Sequence, residues 1–316
     1  MPCTCQVRFK VERHVTTVLP PPGSGRVAEL FLGVDAGGSH CRVRVTDAGG
    51  QVLGSAEGGP ANTRMGLYPL YDRLLHVTEK ALQAAGIPEQ RWNEVAAGMG
   101  IAGIRRPGMS KALAALDFPF ASISLDSDAA IANLGAHNGA DGAILVLGTG
   151  SIGFAQIGGE RFTVGGYGFP ISDEGSGAAL GLSAVRHALR AMDGRTKRTS
   201  LSKEIAGKFR HDTLRAIAWM DQAAPADYAS FAPLVMDYAE AGDEIALSIV
   251  EDAVLHVERF IATIFARGAP RLALVGGLSA RLRPWLRVRT SERLSEPLGD
   301  PVSGALLLAR GDVKHD

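Results

Sequence analysis

The chain has 316 residues with 33 basic and 33 acidic side chains, so it carries no formal net charge, and nothing in its charge favours nucleic acid or an anionic membrane surface. Its 46% hydrophobic and 21% charged residues are ordinary for a globular protein long enough to hold two cores. Three cysteines cannot build a disulfide framework, which points to a reducing cytoplasm, and no stretch approaches the ~20 apolar residues of a membrane span.

Residues 1–27 lack periodicity and contain Pro20-Pro21-Pro22-Gly23-Ser24-Gly25, so they read as a disordered extension. Cys3 and Cys5 have no second pair to complete a metal site. The apolar run Leu30 to Val34 ends at Asp35, turns through Ala36-Gly37-Gly38-Ser39, and resumes with period-2 alternation at Val43 and Val45. That is a β-hairpin with a glycine-rich turn. Gly37 and Gly38 are expected to reach positive φ and let N–H groups point at a phosphate. Asp35 beside such a turn would repel the phosphate unless a cation intervened, which suggests Mg²⁺.

After a third strand, Gly58-Gly59-Pro60-Ala61-Asn62 forms a loop. Asn62 offers a donor and an acceptor, which suits a hydroxyl that must do both, or is simply an Asn in a turn. Leu67, Leu70, Leu74, Val77 and Ala81 follow helical spacing, and Val95 to Ile101 reads as a buried strand. Arg105 and Arg106 could meet phosphate but read better as a solvated pair. The strand Phe120 to Leu125 delivers Asp126-Ser127-Asp128 at its carboxyl end, where ligands of open α/β sheets bind. Asp126 or Ser127 can cap the following helix. Asp128, in its first turn, is held ionised by the helix dipole and can accept a proton from an attacking hydroxyl.

The pattern then repeats. Gly142 to Leu147 is a buried strand, Gly148-Thr149-Gly150-Ser151 a turn, and Ile152 to Ile157 a second strand. Residues 165–177 hold too many glycines for a packed element and must form a loop whose backbone approaches something closely. From Lys203 to Ala266 the pattern is helical. Leu272 to Val275 runs into Gly276-Gly277, a turn against which a flat purine could lie, and Val302 to Ala309 is a small-residue helix suited to packing between domains.

Taken in order, Asp35-Ala-Gly-Gly-Ser39, Ser127-Asp128-Ala129-Ala130, Gly148-Thr-Gly-Ser151, Ser172-Asp-Glu-Gly-Ser176 and Val275-Gly-Gly277 resemble the N-acetylglucosamine kinases and BadF/BadG/BcrA/BcrD-type ATPases of the actin-like ATPase superfamily, and among these the bacterial glucosamine kinases. The resemblance implies an α/β fold of duplicated actin-like (ribonuclease H-like) domains with mixed sheets of about five strands each. The expected divisions are 28–136, with helix 302–312 packing back on it, and 137–301, hinged at 134–139. ATP and Mg²⁺ are implied in the cleft, with Asp35 at the metal. Gly37, Gly38, Ser39, Gly148, Thr149, Gly150, Ser151, Gly276 and Gly277 are implied at the nucleotide, Asn62, Asp128 and Asp173 at the sugar, and Asp128 as general base. The implied activity is transfer of phosphate to the 6-hydroxyl of glucosamine or N-acetylglucosamine, with a homodimer allowed. Two relatives of other function compete with this reading: an ATPase activating a partner enzyme needs interface cysteines for an iron–sulfur cluster, and none follows Cys41; a non-catalytic sugar-sensing protein would have no use for Asp128.

Overall fold

The structure, a computed structural model, describes residues 17–18 and 29–311. Cys3 and Cys5 lie outside the described residues, as does the expected extension apart from Thr17–Val18, which form β1 against Leu125 and Ser124. The first sheet continues with β2 (Leu30–Ala36), β3 (Cys41–Asp47), β4 (Val52–Gly58), β5 (Val95–Ile101) and β6 (Ser122–Asp126), in the order β1-β6-β5-β2-β3-β4. β2 to β4 are antiparallel, and β5 and β6 add in parallel beside β2. Helix α1 (Leu67–Ala84) buries the predicted stripe of Leu70, Leu74, Val77 and Ala81. Helices α2 (Met109–Ala114) and α3 (Asp128–Ala136) flank β6 in the chain.

The second sheet has β7 (Gly142–Leu147), β8 (Ser151–Ile157), β9 (Glu160–Gly165) and β10 (Leu272–Val275), in the order β10-β7-β8-β9. Between β9 and β10 run α4 (Gly177–Met192), α5 (Ser200–Lys208), α6 (Thr213–Met220), α7 (Pro225–Ala229), α8 (Ala232–Glu240) and α9 (Glu244–Ala266). Two short helices, α10 (Ser279–Leu282) and α11 (Val288–Ser291), precede the last helix, α12 (Pro301–Arg310). The stripe expected on α9 is buried at Val250, Val257, Ile261 and Ile264.

A meander with one parallel neighbour therefore occurs twice, as β5-β2-β3-β4 and as β10-β7-β8-β9. Among the described residues the sheets have six and four strands, where about five each were expected. Beside β10, where the first sheet has β6, there is only a single parallel bridge from Ala273 to Ser295. Pro297 stands two residues later, and a residue without an N–H cannot extend a ladder there. The chain forms two compact units: the described residues up to Gly142 with Ala155–Phe162 and 297–311, and Ala143–Phe154 with Thr163–Glu296.

In the first unit, α12 lies backbone against backbone on three elements. A Cβ on Gly33 of β2 would stand 2.6 Å from the Val302 carbonyl oxygen, and one on Gly98 of β5 would stand 2.1 Å from that of Ala305. Gly135 of α3 is equally close to Asp300, and Gly304 of α12 to Ile131. The small residues of α12 thus serve close approach to sheet and helix within this unit. Asp300 caps α12 by accepting from the Ser303 N–H at 2.8 Å and also holds the Arg44 guanidinium at 2.7 Å. Against the cost of burial, those contacts bring its carboxyl down to about 2.

Gly304→Ala would place a methyl carbon 1.8 Å from the Ile131 carbonyl oxygen, so α3 and α12 must part. Overpacking of this kind costs roughly 1–3 kcal/mol. A urea titration should show stability lowered by that amount, and an unchanged midpoint would contradict this packing.

Candidate functional site

In the first unit the parallel register assembles the acids. Asp35 of β2 and Asp126 of β6 are both paired with Gly100 of β5. Register neighbours share a face of a sheet. A Cβ on Gly100 would strike the Ile131 side chain of α3, so Asp35 and Asp126 project to the α3 side at the carboxyl ends of their strands. Asp128 stands in the first turn of that helix, and the Asp35 charge is one of the influences on it.

Each acid has a different partner. Asp35 Oδ2 accepts from Arg42 Nη2 at 2.6 Å and from Nε at 3.2 Å. Asp126 Oδ1 accepts from the Ser127 N–H at 2.8 Å, and its Oδ2 from Arg161 Nη1 at 2.7 Å, in a pair only 9% and 11% exposed. The helix cap is therefore Ser127, whose Oγ accepts from the Ala130 N–H at 3.1 Å, and Asp126 does no capping. Asp128 accepts at 3.0 Å from the Ala129 N–H, a bond within its own helix. Burial pushes its carboxyl above the ordinary carboxylate range, and the backbone N–H groups only partly offset this. The expectation from the helix dipole had the opposite sign, because it counted the aligned N–H groups and not the desolvation.

The Gly37–His40 turn is closed by a hydrogen bond from the Gly37 N–H to the His40 carbonyl at 2.9 Å. Neither Gly37 nor Gly38 is in the left-handed region, contrary to the expectation of positive φ. Gly38, Ser39 and His40 are exposed, and a Cβ on Gly38 would meet nothing within 4 Å. Cys41, at the start of β3, is buried, and its thiol is pushed up to about 12 by burial and then by Asp35, so it stays protonated. Asn62 Oδ1 accepts from the Arg64 N–H at 3.0 Å, which uses one of the two lone pairs of that oxygen. Next to it, the Thr63 hydroxyl is buried without a partner and lies against Gly103.

In the second unit, β7 and β10 are parallel, and their carboxyl ends lead into two adjacent turns. The Leu278 N–H donates to the Leu147 carbonyl at 3.0 Å. Gly276 has φ +99°, and a Cβ there would stand 2.5 Å from that same oxygen, so only glycine fits. Gly277 and Gly148, by contrast, open onto space empty to 4 Å. The loop after β9 is stitched onto the Gly148–Ser151 turn, with the Gly177 N–H donating to the Gly148 carbonyl at 2.8 Å and Ser151 Oγ to the Glu174 carbonyl at 2.8 Å. Asp173 lies with its carboxylate against Gly150, takes N–H groups of Ser151, Gly168 and Phe169, and has positive φ of 69°. Burial nevertheless raises its carboxyl. Ser176 caps α4 by accepting from the Ala179 N–H at 3.2 Å.

Residues 32–309 match the model of the BadF/BadG/BcrA/BcrD ATPase family. The chain belongs to this family. It is 34% identical over 286 residues to the glucosamine kinase GspK of Vibrio cholerae, covering 90% of this chain and 97% of that one. A solved structure of a candidate N-acetylglucosamine kinase from Chromobacterium violaceum superposes with a TM-score of 0.84 at 34% identity, over 89% of this chain and 99% of that one. The fold is shared more distantly by a ROK family glucokinase of Streptomyces griseus solved with glucose and AMPPNP, at TM-score 0.54, 18% identity and coverage of 89% and 99%. No helix among the described residues is long and apolar enough to cross a membrane.

Sequence reading finds the acids and the glycine turns but not Arg161, which stands 35 residues from Asp126 on a strand with no motif. Among the turn glycines, Gly276→Ala should lower the melting temperature, since the methyl group meets backbone, whereas Gly277→Ala should leave it within about a degree, surface changes of this kind being worth about ±0.5 kcal/mol or less. Thermal scans of the two variants check this, and equal melting temperatures would refute the difference.

Proposed function

We propose that this protein is an ATP-dependent amino-sugar kinase that transfers the γ-phosphoryl group to the 6-hydroxyl of glucosamine or N-acetylglucosamine. The observation that carries the reading is Asp128, an acid just past a strand end with no cationic partner among the described residues and a carboxyl raised by burial. A base with a raised pKa accepts the hydroxyl proton more readily as the oxygen attacks phosphorus. Asp35 and Asp126 are each engaged by an arginine side chain, whereas Asp128 is not.

The nucleotide reading rests on Gly38, Gly148 and Gly277. The fold itself demands glycine at none of them, either through positive φ or through crowding, so a ligand's close approach accounts for the missing side chain. Gly38, Ser39, Thr149 and Gly150 would offer N–H groups to phosphates, with Gly37 and Ser151 shaping the two turns through bonds of their own, and Gly276-Gly277 would border the adenosine. Among the described residues no group of three or more His, Cys, Asp or Glu could hold a metal. Mg²⁺ is commonly held by one or two carboxylates plus substrate phosphates, and Asp35 would be that carboxylate. When bound, the metal neutralises charge on the transferring phosphates. Arg42 fixes the direction in which Asp35 points.

On the sugar side the Asn62 amide and Asp128 in the first unit and Asp173 in the second would meet the hydroxyls. The 2-substituent decides between the two sugars: an acetyl group needs an apolar niche, an ammonium a carboxylate. Comparing kcat/KM for glucosamine, N-acetylglucosamine and glucose at fixed ATP and Mg²⁺ tests the reading, and transfer to none of them would end it.

Asp128→Asn preserves size but removes the basic oxygen, and loss of a general base lowers kcat by roughly 10²–10⁴-fold. ATP affinity should be nearly unchanged. In the wild type, kcat/KM should fall as pH drops through a pKa lying above the ordinary carboxylate value of about 3.9, because the base works only when deprotonated. The Asn variant's residual activity should lack that acid limb. A variant with wild-type kcat, or one that retains the limb, assigns the base elsewhere.

A further inference from the structure

We infer that Arg161 and Gln156 are positioning residues for the proposed base, acting through Asp126 to hold the Asp126-Ser127-Asp128 segment. This rests on the kinase reading given above. Among the described residues, the Asp128 carboxylate takes hydrogen bonds only from backbone of its own helix turn, so its place is set by where the chain enters α3. That entry is fixed at Ser127, whose hydroxyl caps the helix and whose N–H is held at 2.8 Å by Asp126 Oδ1. The other oxygen of Asp126 is held at 2.7 Å by Arg161 Nη1.

Arg161 is itself aimed by a second bond, from its Nε to Gln156 Oε1 at 2.8 Å. Gln156 is 2% exposed and belongs to β8, the strand that starts at the Gly148–Ser151 turn. The guanidinium fork thus spans a neutral amide on β8 and a charged acid on β6. Two donors in a fixed plane leave Asp126 little rotational freedom. The pair is almost fully out of water, so removing Arg161 would leave the Asp126 charge buried without its cation. A lysine could restore the charge but not both bonds.

Four proteins separate positioning from mere stability: the wild type, Arg161→Gln, Arg161→Lys, and the neutral pair Asp126→Asn with Arg161→Gln. For each, sugar phosphate formed with glucosamine, KM for ATP, ADP released without sugar, and melting temperature are measured. A misplaced base costs about 10²-fold in transfer. That loss is expected in Arg161→Gln, with KM for ATP and sugar-independent ADP release per folded molecule unchanged. Arg161→Lys should recover part of the rate. The neutral pair should recover stability without recovering rate, and with Arg161→Lys it carries the test if Arg161→Gln does not fold. Transfer and sugar-independent release falling together with the folded fraction would overturn the inference, as would wild-type transfer in the three variants. A wild type that transfers to no sugar removes the kinase reading and the inference with it, whereas an active wild type with equally active variants removes the inference alone.

Discussion

Backbone contact between α12 and the first sheet is the constraint on which the first unit depends. Gly33, Gly98 and Gly135 lie under α12, and Gly304 fits against α3, each at distances no side chain would tolerate. Close approach of this kind trades side-chain packing for many short-range backbone contacts and leaves a single seating. β2, β5 and α3 are thereby locked in one arrangement, and those are the elements that end in Asp35, adjoin Asp126 and begin with Asp128. The helix comes from the far end of the chain, so the site's geometry is completed only when the C-terminal helix docks. The Arg44–Asp300 pair and the Asp300 cap hold the start of that helix in place.

The three acids show how one residue type takes different roles through its surroundings. Asp35 is oriented by Arg42, Asp126 is neutralised by Arg161, and Asp128 is left with backbone donors and a raised carboxyl. Giving each carboxylate a different partner is how a fold assigns different roles to several acids. The second unit solves a different problem. Its turns after β7 and β10 are braced by the Leu278–Leu147 bond and by the loop around Asp173, and this bracing leaves the faces of Gly148 and Gly277 open. A rigid frame around uncovered backbone suits a ligand that is read through N–H groups.

What the sequence determined by itself was whatever is encoded locally. Hairpins show as alternation on either side of Gly37-Gly38 and Gly148–Ser151, α1 and α9 show as stripes of spacing three and four, and the repeated order of strands and turns reveals the duplication. Asp35 and Asp128 were legible because each stands at the end of an apolar run, where a strand must stop. Tertiary structure alone decided the rest. Burial reversed the sign of the influence on Asp128, since desolvation depends on everything packed around the helix and the dipole only on the helix. The cap fell to Ser127 because Asp126 was already engaged by Arg161, a partner 35 residues away that no local pattern announces. Beside β10 the pairing stopped at the Ser295 bridge, because Pro297 has no N–H with which to continue it. For Asp128 and Asp126 the deciding energy came from contacts distant in sequence, and these exist only once the sheet register has brought their residues together.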